Sequence, residues 1–507
     1  MKKILSLFLS LFIAFSAVAQ RDVFWVHGFA ANNSAWIPVI TATEMNVASN
    51  YPARQFANCS AITYTPIDRI QAITNIDAAG AELRRAMKEK LSTGGVFSTT
   101  RAENTIAIAH SQGGFVTRWS ADVSIPQTPG ATRNFKGFVT FGTPHGGAGL
   151  ASSRFNGNLD VFLNDACKRF GGGLIHQQLM NIQYGWLLES LGVPASVNDA
   201  VDGVKNNLCD KLFSKAPTSM PHTADFISQK VLGTILPSPS GRSAIDDPIL
   251  DAYRLEAPQV SQLRNGPRDQ DIIRMAFYGV EPPNQIFFKT INYFFNPSQA
   301  QPPFEATDSK EQITINKALQ TRESLLNDAI GSSISATIER SHPSCGYCFN
   351  IFPIVCFYKR YVEFPAHQNE AKRHDSDARA LRDAVNWMDN VDQQWLGVIE
   401  ALEQASNPIT TCVCPLDGTV EVRSCEPWNN DINCYEEIVF GTPASVKDND
   451  GVVVKESALD FPGKVPLSDE QARMPGSHHM QMRNDPNTKE KLRTLFDGGF
   501  HPYFQTN

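Results

Sequence analysis

The chain has 507 residues, 42% of them hydrophobic and 19% charged, with a formal net charge of -7. That is enough length and apolar content for one large core with insertions, or for two to three ordinary domains. Nucleic-acid binders need basic patches, and this charge balance provides no such footprint.

Residues 1–19 place Lys2 and Lys3 before an apolar run from Ile4 to Phe15 and close on Ala17-Val18-Ala19. This is the pattern of a cleavable secretory signal peptide, which sets the expected mature start near Gln20. The run is too short for the ~20 residues a bilayer crossing needs. No later stretch is long and apolar enough to span, so a soluble secreted or periplasmic protein is expected. All 10 cysteines lie outside the signal, and an even number in an oxidising compartment predicts disulfides.

From the mature start, 22–26 (DVFWV) reads as a buried strand running into His27-Gly28-Phe29, a turn that leads to a helix near Asn33 or Ser34. Residues 61–65 (AITYT) predict a strand and 76–91 an amphipathic helix. The stretch 105–114 (TIAIAHSQGG) then joins an apolar strand to a tight turn with Ser111 at its apex. Ala109, Gly113 and Gly114 keep that turn free of bulky side chains. Phe115, Val116 and Trp119 follow at helical spacing. Residues 135–141 (FKGFVTF) and 272–280 (IIRMAFYGV) supply two more strands. Strands alternating with helices predict a mostly parallel sheet covered on both faces, an α/β fold.

Ala109-x-Ser111-x-Gly113 resembles the nucleophile elbow of the α/β-hydrolases, and the alanine variant resembles bacterial lipases and carboxylesterases. His27-Gly28-Phe29 is similar to their oxyanion loop, and GTPHGG at 142–147 to the end of the strand after the elbow helix. The resemblance implies Ser111 as nucleophile and the backbone N–H groups of Phe29 and Gln112 as oxyanion donors. His145 is a tempting base. In this fold, however, the order is serine, acid, then histidine far downstream, so His145 reads as loop structure.

The family places its acid shortly after the strand at 272–280, and here the chain departs from the pattern. Glu281 is followed by two prolines and a long insertion. Asp450, ahead of Gly-Val-Val-Val and a short helix, resembles the acid loop of the lipases. Asp448, Asp417 and Glu281 remain rivals. A calcium-loop reading of DNDG fails because Val452 stands where an oxygen ligand is needed. For the base, the spacing from the histidine pair to Met482 and Pro486 resembles the family pattern and favours His479, with His478 as the alternative.

Two stretches interrupt the alternation. Residues 151–268 are expected to form a cap or lid, and 282–434 a second, mainly helical insertion rich in cysteine. The core would then comprise 20–150, 269–281 and 435–507. Within the second insertion, Ser309 and Gln312 resemble a capping box opening a helix that carries Ile315, Leu319, Leu326 and Ile330. Leu381, Val385, Met388, Trp395 and Leu402 mark another, and both stripes are expected to face a core. Seven cysteines crowd between Cys345 and Cys434. They fit structural bridges better than a zinc or redox site, because neither the strand context nor the paired spacing is present.

The expectation is therefore an exported hydrolase of carboxylic esters, without a cofactor, acting on a small-molecule or lipid ester with transient contact at a lipid interface. Alternatives are a short-chain, polyester or phospholipid esterase, or a secreted binding protein on the same fold.

Overall fold

The computed structural model describes residues 21–28, 33–40, 58–62, 76–123, 133–156, 251–282, 364–401, 409–414, 419–421, 435–439, 447–483 and 485–506, with shorter pieces at 159, 162, 286–287, 289–290, 323, 326–327 and 329–339. Its centre is a six-stranded sheet made of β1 (Asp22–Val26), β2 (Asn58–Ile62), β3 (Thr105–His110), β4 (Gly137–Phe141), β5 (Ile273–Val280) and β9 (Arg473–Pro475). In space the order is β9-β5-β4-β3-β1-β2, and every neighbouring pair is parallel. The protein is thus an α/β fold.

The short apolar runs become strands because both sheet faces are covered, so every position along them finds apolar partners. Phe24, Val26, Ala107, Ala109 and Phe138 pack on one face, against Ala79, Leu83 and Met87 of α1 (Ile76–Leu91) and Val116 of α2 (Gln112–Asp122). Their sequence neighbours Val23, Trp25, Ile106, Ile108 and Val139 pack on the other, against Trp36 and against Leu492, Leu495 and Phe496 of α6 (Pro486–Phe496). Side chains alternate across a strand, so one run feeds two cores. Asp77 of α1 accepts the indole N–H of Trp119 at 2.7 Å, tying the two helices of the first face together.

Three elements differ from the sequence expectation. The strand expected at 61–65 lies at Asn58–Ile62, where its register matches Asp22–Val26 residue for residue; 63–65 lie outside the described residues. Within the expected cap, the chain enters α3 (Gly149–Phe155), and Val260 and Leu263 of α4 (Pro258–Asn265) pack on Phe115 and Trp119 of the core. Tyr435–Val439 does not join the parallel sheet. It is β8 of a separate antiparallel sheet with β6 (Ile409–Cys414) and β7 (Thr419–Glu421).

In the second insertion, α5 (Phe364–Ile399) buries Val385 and Trp395, two residues of the expected stripe, and also Val391. Of the earlier stripe the described residues include only Leu326, which is half-buried, and Ile330. Ile330 is 48% exposed, as are Ile334 and Ile338 to similar degrees, while Ala329 and Ala336 of the same helical stretch are buried. Ser309, Gln312, Ile315 and Leu319 lie outside the described residues, as do Met1–Gln20 and the side chain of every cysteine. Among the described residues no helix is long and apolar enough to cross a membrane.

Candidate active site

The strand order reverses beside β1, with β2 on one side and β3 on the other. Open α/β sheets bind ligands in the crevice at the carboxyl ends of strands at such a switch point. His27-Gly28 leaves the sheet there after β1, and Ser111 leaves it after β3.

Ser111 has φ 54° and ψ -132°, a conformation that disfavours any residue with a Cβ and costs roughly 1–3 kcal/mol. The surroundings impose it. The Ser111 N–H donates to the Phe141 carbonyl at 3.0 Å, and the Gly114 N–H donates to the Ser111 carbonyl at 3.0 Å. Gly113 is required because a Cβ there would overlap the His27 carbonyl oxygen. Its absence lets the end of β1 approach the turn. The result lifts the Ser111 side chain off the sheet at the head of α2.

There the side chain meets residues from the far end of the chain. Ser111 Oγ is 2.8 Å from His479 Nε2, across 368 residues of sequence, and His479 Nδ1 is 2.8 Å from Asp450 Oδ2. Asp450 is buried, and its Oδ1 accepts the backbone N–H groups of Val452 at 3.1 Å and Val453 at 2.7 Å. The His479 N–H donates to the Asp450 carbonyl at 2.8 Å, so acid and base share backbone as well as side-chain contacts. Gly142, with φ 55°, stands behind them, and a Cβ there would reach 2.9 Å from Asp450 Oδ2. A carboxylate facing Nδ1 places the proton there and leaves Nε2 free to accept one from the hydroxyl. Gln112 is buried at the head of α2, and its N–H belongs to the first turn, where backbone donors and the positive end of the helix dipole point outward. Phe29 lies outside the described residues.

The rival residues are engaged elsewhere. His478 receives the Met480 N–H on Nδ1 at 3.2 Å, so its Nε2–H donates to Thr290 Oγ1 at 3.0 Å. Thr290 in turn donates to the Ile286 carbonyl at 2.8 Å. Glu281 forms a buried ion pair with Lys289 at 2.6 Å. Asp448 faces Lys455 at 3.7 Å and Arg473 at 3.9 Å near the surface. Asp417 lies outside the described residues. His145 stacks on Phe461 with centroids 3.9 Å apart, and its Nε2 pairs with Thr140 Oγ1 at 3.0 Å, a placement that suits loop structure. Replacing His478 by alanine is expected to leave ester turnover within about threefold of the parent. The buried Thr290 oxygen loses the N–H it accepts while its own O–H stays on Ile286, so stability should fall by about 1–3 kcal/mol in a urea titration.

Three further side chains support the site, and the sequence did not show these contacts. The Nδ1–H of His27 donates to the Gly28 carbonyl at 2.9 Å, fixing the turn after β1. Trp395 of the second insertion donates its indole N–H to the Gly451 carbonyl at 2.9 Å, beside the acid. The ring of His110, one residue before Ser111, packs 4.9 Å from that of His479.

Burial shapes the charge state of this region. It pushes His27 down to about 4, against the Gly28 carbonyl, which raises it, while the Arg483 charge adds to the lowering. Burial likewise holds His110, His145 and His478 well below the ordinary histidine range. An unfolded chain takes up these protons near pH 6.5, whereas folded His27 waits until about pH 4. Between those values the unfolded state binds more protons, so stability is lost as pH falls. His27 alone should remove about 3 kcal/mol by pH 4. Urea midpoints measured from pH 8 to pH 4 should stay level above about pH 6.5 and then fall; a level profile throughout would contradict a neutral buried His27.

The chain matches no known family profile and no curated protein sequence. Among solved structures, phospholipase PlaB from Legionella pneumophila resembles part of it, at 15% identity and a TM-score of 0.21. That likeness covers 26% of this chain and 27% of the other, so it spans about a quarter of each.

Proposed function

We propose that the chain is an exported serine hydrolase of the α/β-hydrolase kind, which cleaves carboxylic esters of the lipase or carboxylesterase type. The observation that carries this reading is the relay from Ser111 through His479 to Asp450, with both contacts at 2.8 Å and the serine held at positive φ. A buried structural serine has no need of that backbone conformation or of a carboxylate-oriented imidazole.

In this mechanism His479 Nε2 accepts the Ser111 hydroxyl proton as Oγ attacks the ester carbonyl carbon. The oxyanion that forms lies at the head of α2, beside the Gln112 N–H; by resemblance to the lipases the Phe29 N–H is the second donor. His479 then gives its proton to the departing alcohol oxygen, leaving an acyl-serine. Water enters, His479 takes its proton, and collapse of the second tetrahedral species frees the acid and restores Ser111. Asp450 stabilises the imidazolium at each stage and keeps the ring oriented. The chemistry requires no cofactor. The substrate would be a lipid or small-molecule ester met outside the cytoplasm after removal of residues 1–19.

A fluorophosphonate probe, which phosphonylates activated serines, should attach once per chain, and peptide mapping should find it on Ser111. Labelling elsewhere, or none in folded protein, would remove the assignment. A p-nitrophenyl ester series of increasing acyl length, with and without an emulsified phase, then separates lipase from short-chain esterase.

A further inference from the structure

His110 takes no part in the proton relay, yet its side chain is turned toward the base. It is buried, and its Nε2 lies 2.8 Å from the backbone carbonyl oxygen of His479. A carbonyl can only accept, so Nε2 carries the proton and Nδ1 is bare. Among the described residues Nδ1 is buried without a hydrogen-bond partner. It faces Gly28, where a Cβ would stand only 3.0 Å away, so the ring sits directly against the turn after β1. Trp36 approaches the ring edge-on, with the centroids 6.5 Å apart.

We infer that His110 is a positioning residue, whose Nε2–H grips the backbone of His479 and so sets the distance between base and nucleophile. This rests on the hydrolase reading of the site. The loop with His479 returns to the sheet after two long insertions, and an error of a few tenths of an ångström at Nε2 would spoil proton transfer. His110 is covalently adjacent to Ser111 at the end of β3, a fully buried strand. Its hydrogen bond therefore refers the base to the nucleophile's own backbone. The His479 backbone is thereby held on both sides of its Cα, by its N–H to Asp450 and by its carbonyl to His110. Leaving Nδ1 unpartnered carries a cost, which the sequence tolerates in exchange for a donor that a phenylalanine or leucine in the same space could not supply. Burial and the neighbouring Arg483 and His479 also keep the ring neutral, so no second cation stands beside His479 when it is protonated.

Three variants of the full mature chain separate positioning from packing. His110→Phe fills the space without a donor, His110→Asn has a donor too short to reach, and His110→Gln presents an amide N–H near the Nε2 position. For p-nitrophenyl ester hydrolysis, kcat should fall about tenfold or more in the Phe and Asn variants while KM stays within about twofold, the loss of one buried hydrogen bond. His110→Gln should recover to within about threefold of the parent. The rate of fluorophosphonate labelling at Ser111 should follow the same order, with cooperative thermal melts showing that each variant is folded. If Phe fails to fold, the Asn and Gln pair decides alone. Equal kcat in Gln and Asn, whether both high or both low, would overturn the inference and leave His110 as packing only. A folded parent that neither turns over esters nor reacts with the probe would instead overturn the hydrolase reading, and this inference with it.

Discussion

Ser111→Ala should abolish ester hydrolysis, with kcat falling by roughly 10⁴-fold or more and only the contribution of oxyanion stabilisation and substrate binding remaining. The variant removes one oxygen from a position that is only partly buried, so the melting temperature should change little. Alanine also meets the same backbone constraint at φ 54°, so it neither relieves nor adds strain. Dependence on this one hydroxyl separates an enzyme from a binding protein on the same fold. Full activity in a folded Ser111→Ala protein would end the assignment, and residual activity near the parent's would place the nucleophile elsewhere. The measurement is initial rates on a p-nitrophenyl ester at saturating concentration, with circular dichroism as the control for folding.

Asp450→Asn should cost kcat about as much as a reversed imidazole tautomer does, on the order of 10⁴-fold. In the parent, Oδ1 accepts two backbone N–H groups while Oδ2 faces His479 Nδ1. An asparagine that keeps its carbonyl oxygen on those two donors must turn its NH2 toward Nδ1. The ring then has its proton on Nε2 and cannot accept one from Ser111. The opposite amide orientation sets NH2 against two N–H groups in a buried site, which is worse. Neither Asp448→Asn nor Glu281→Gln should produce this loss, because those carboxylates face Lys455 and Lys289. A strong effect at Asp448 with none at Asp450 would move the acid by two residues. Steady-state kinetics of the three variants, with an intact Ser111 probe reaction in the controls, decides between them.

The tests at Ser111 and Asp450 bear on residues that local sequence could bring forward unequally. The turn at Ser111 announces itself: an apolar strand, small residues on both sides and a helix behind lie within about fifteen positions. Asp450 had only a resemblance to support it, against Asp448 two residues away and Glu281 at the end of its strand. No periodicity distinguishes one loop carboxylate from another. What separates them is the company each keeps, two N–H groups and an imidazole in one case and lysines in the others. His478 and His479 differ in the same way, for adjacent residues in a turn point in different directions and only one can face Ser111.

Sequence alone determined the elements whose signals are local. The helix Ile76–Leu91 and the strands at β1, β3, β4 and β5 follow from apolar spacing repeated over a few residues, and the elbow follows from the glycines its geometry demands. Tertiary structure alone decided the rest. β9 has three residues, Arg473–Pro475, and no apolar run, so it is a strand only because β5 offers it an edge. Tyr435–Val439 carries strand character but pairs with Ile409–Cys414, a choice of partner that no residue within it encodes. The outward face of Ile330 and the grip of His110 on His479 belong to the same class, because each depends on what another part of the chain places beside it. Local propensity acts over one or two turns of backbone, whereas the relay at the site joins positions 368 residues apart, and only the folded sheet brings them to 2.8 Å.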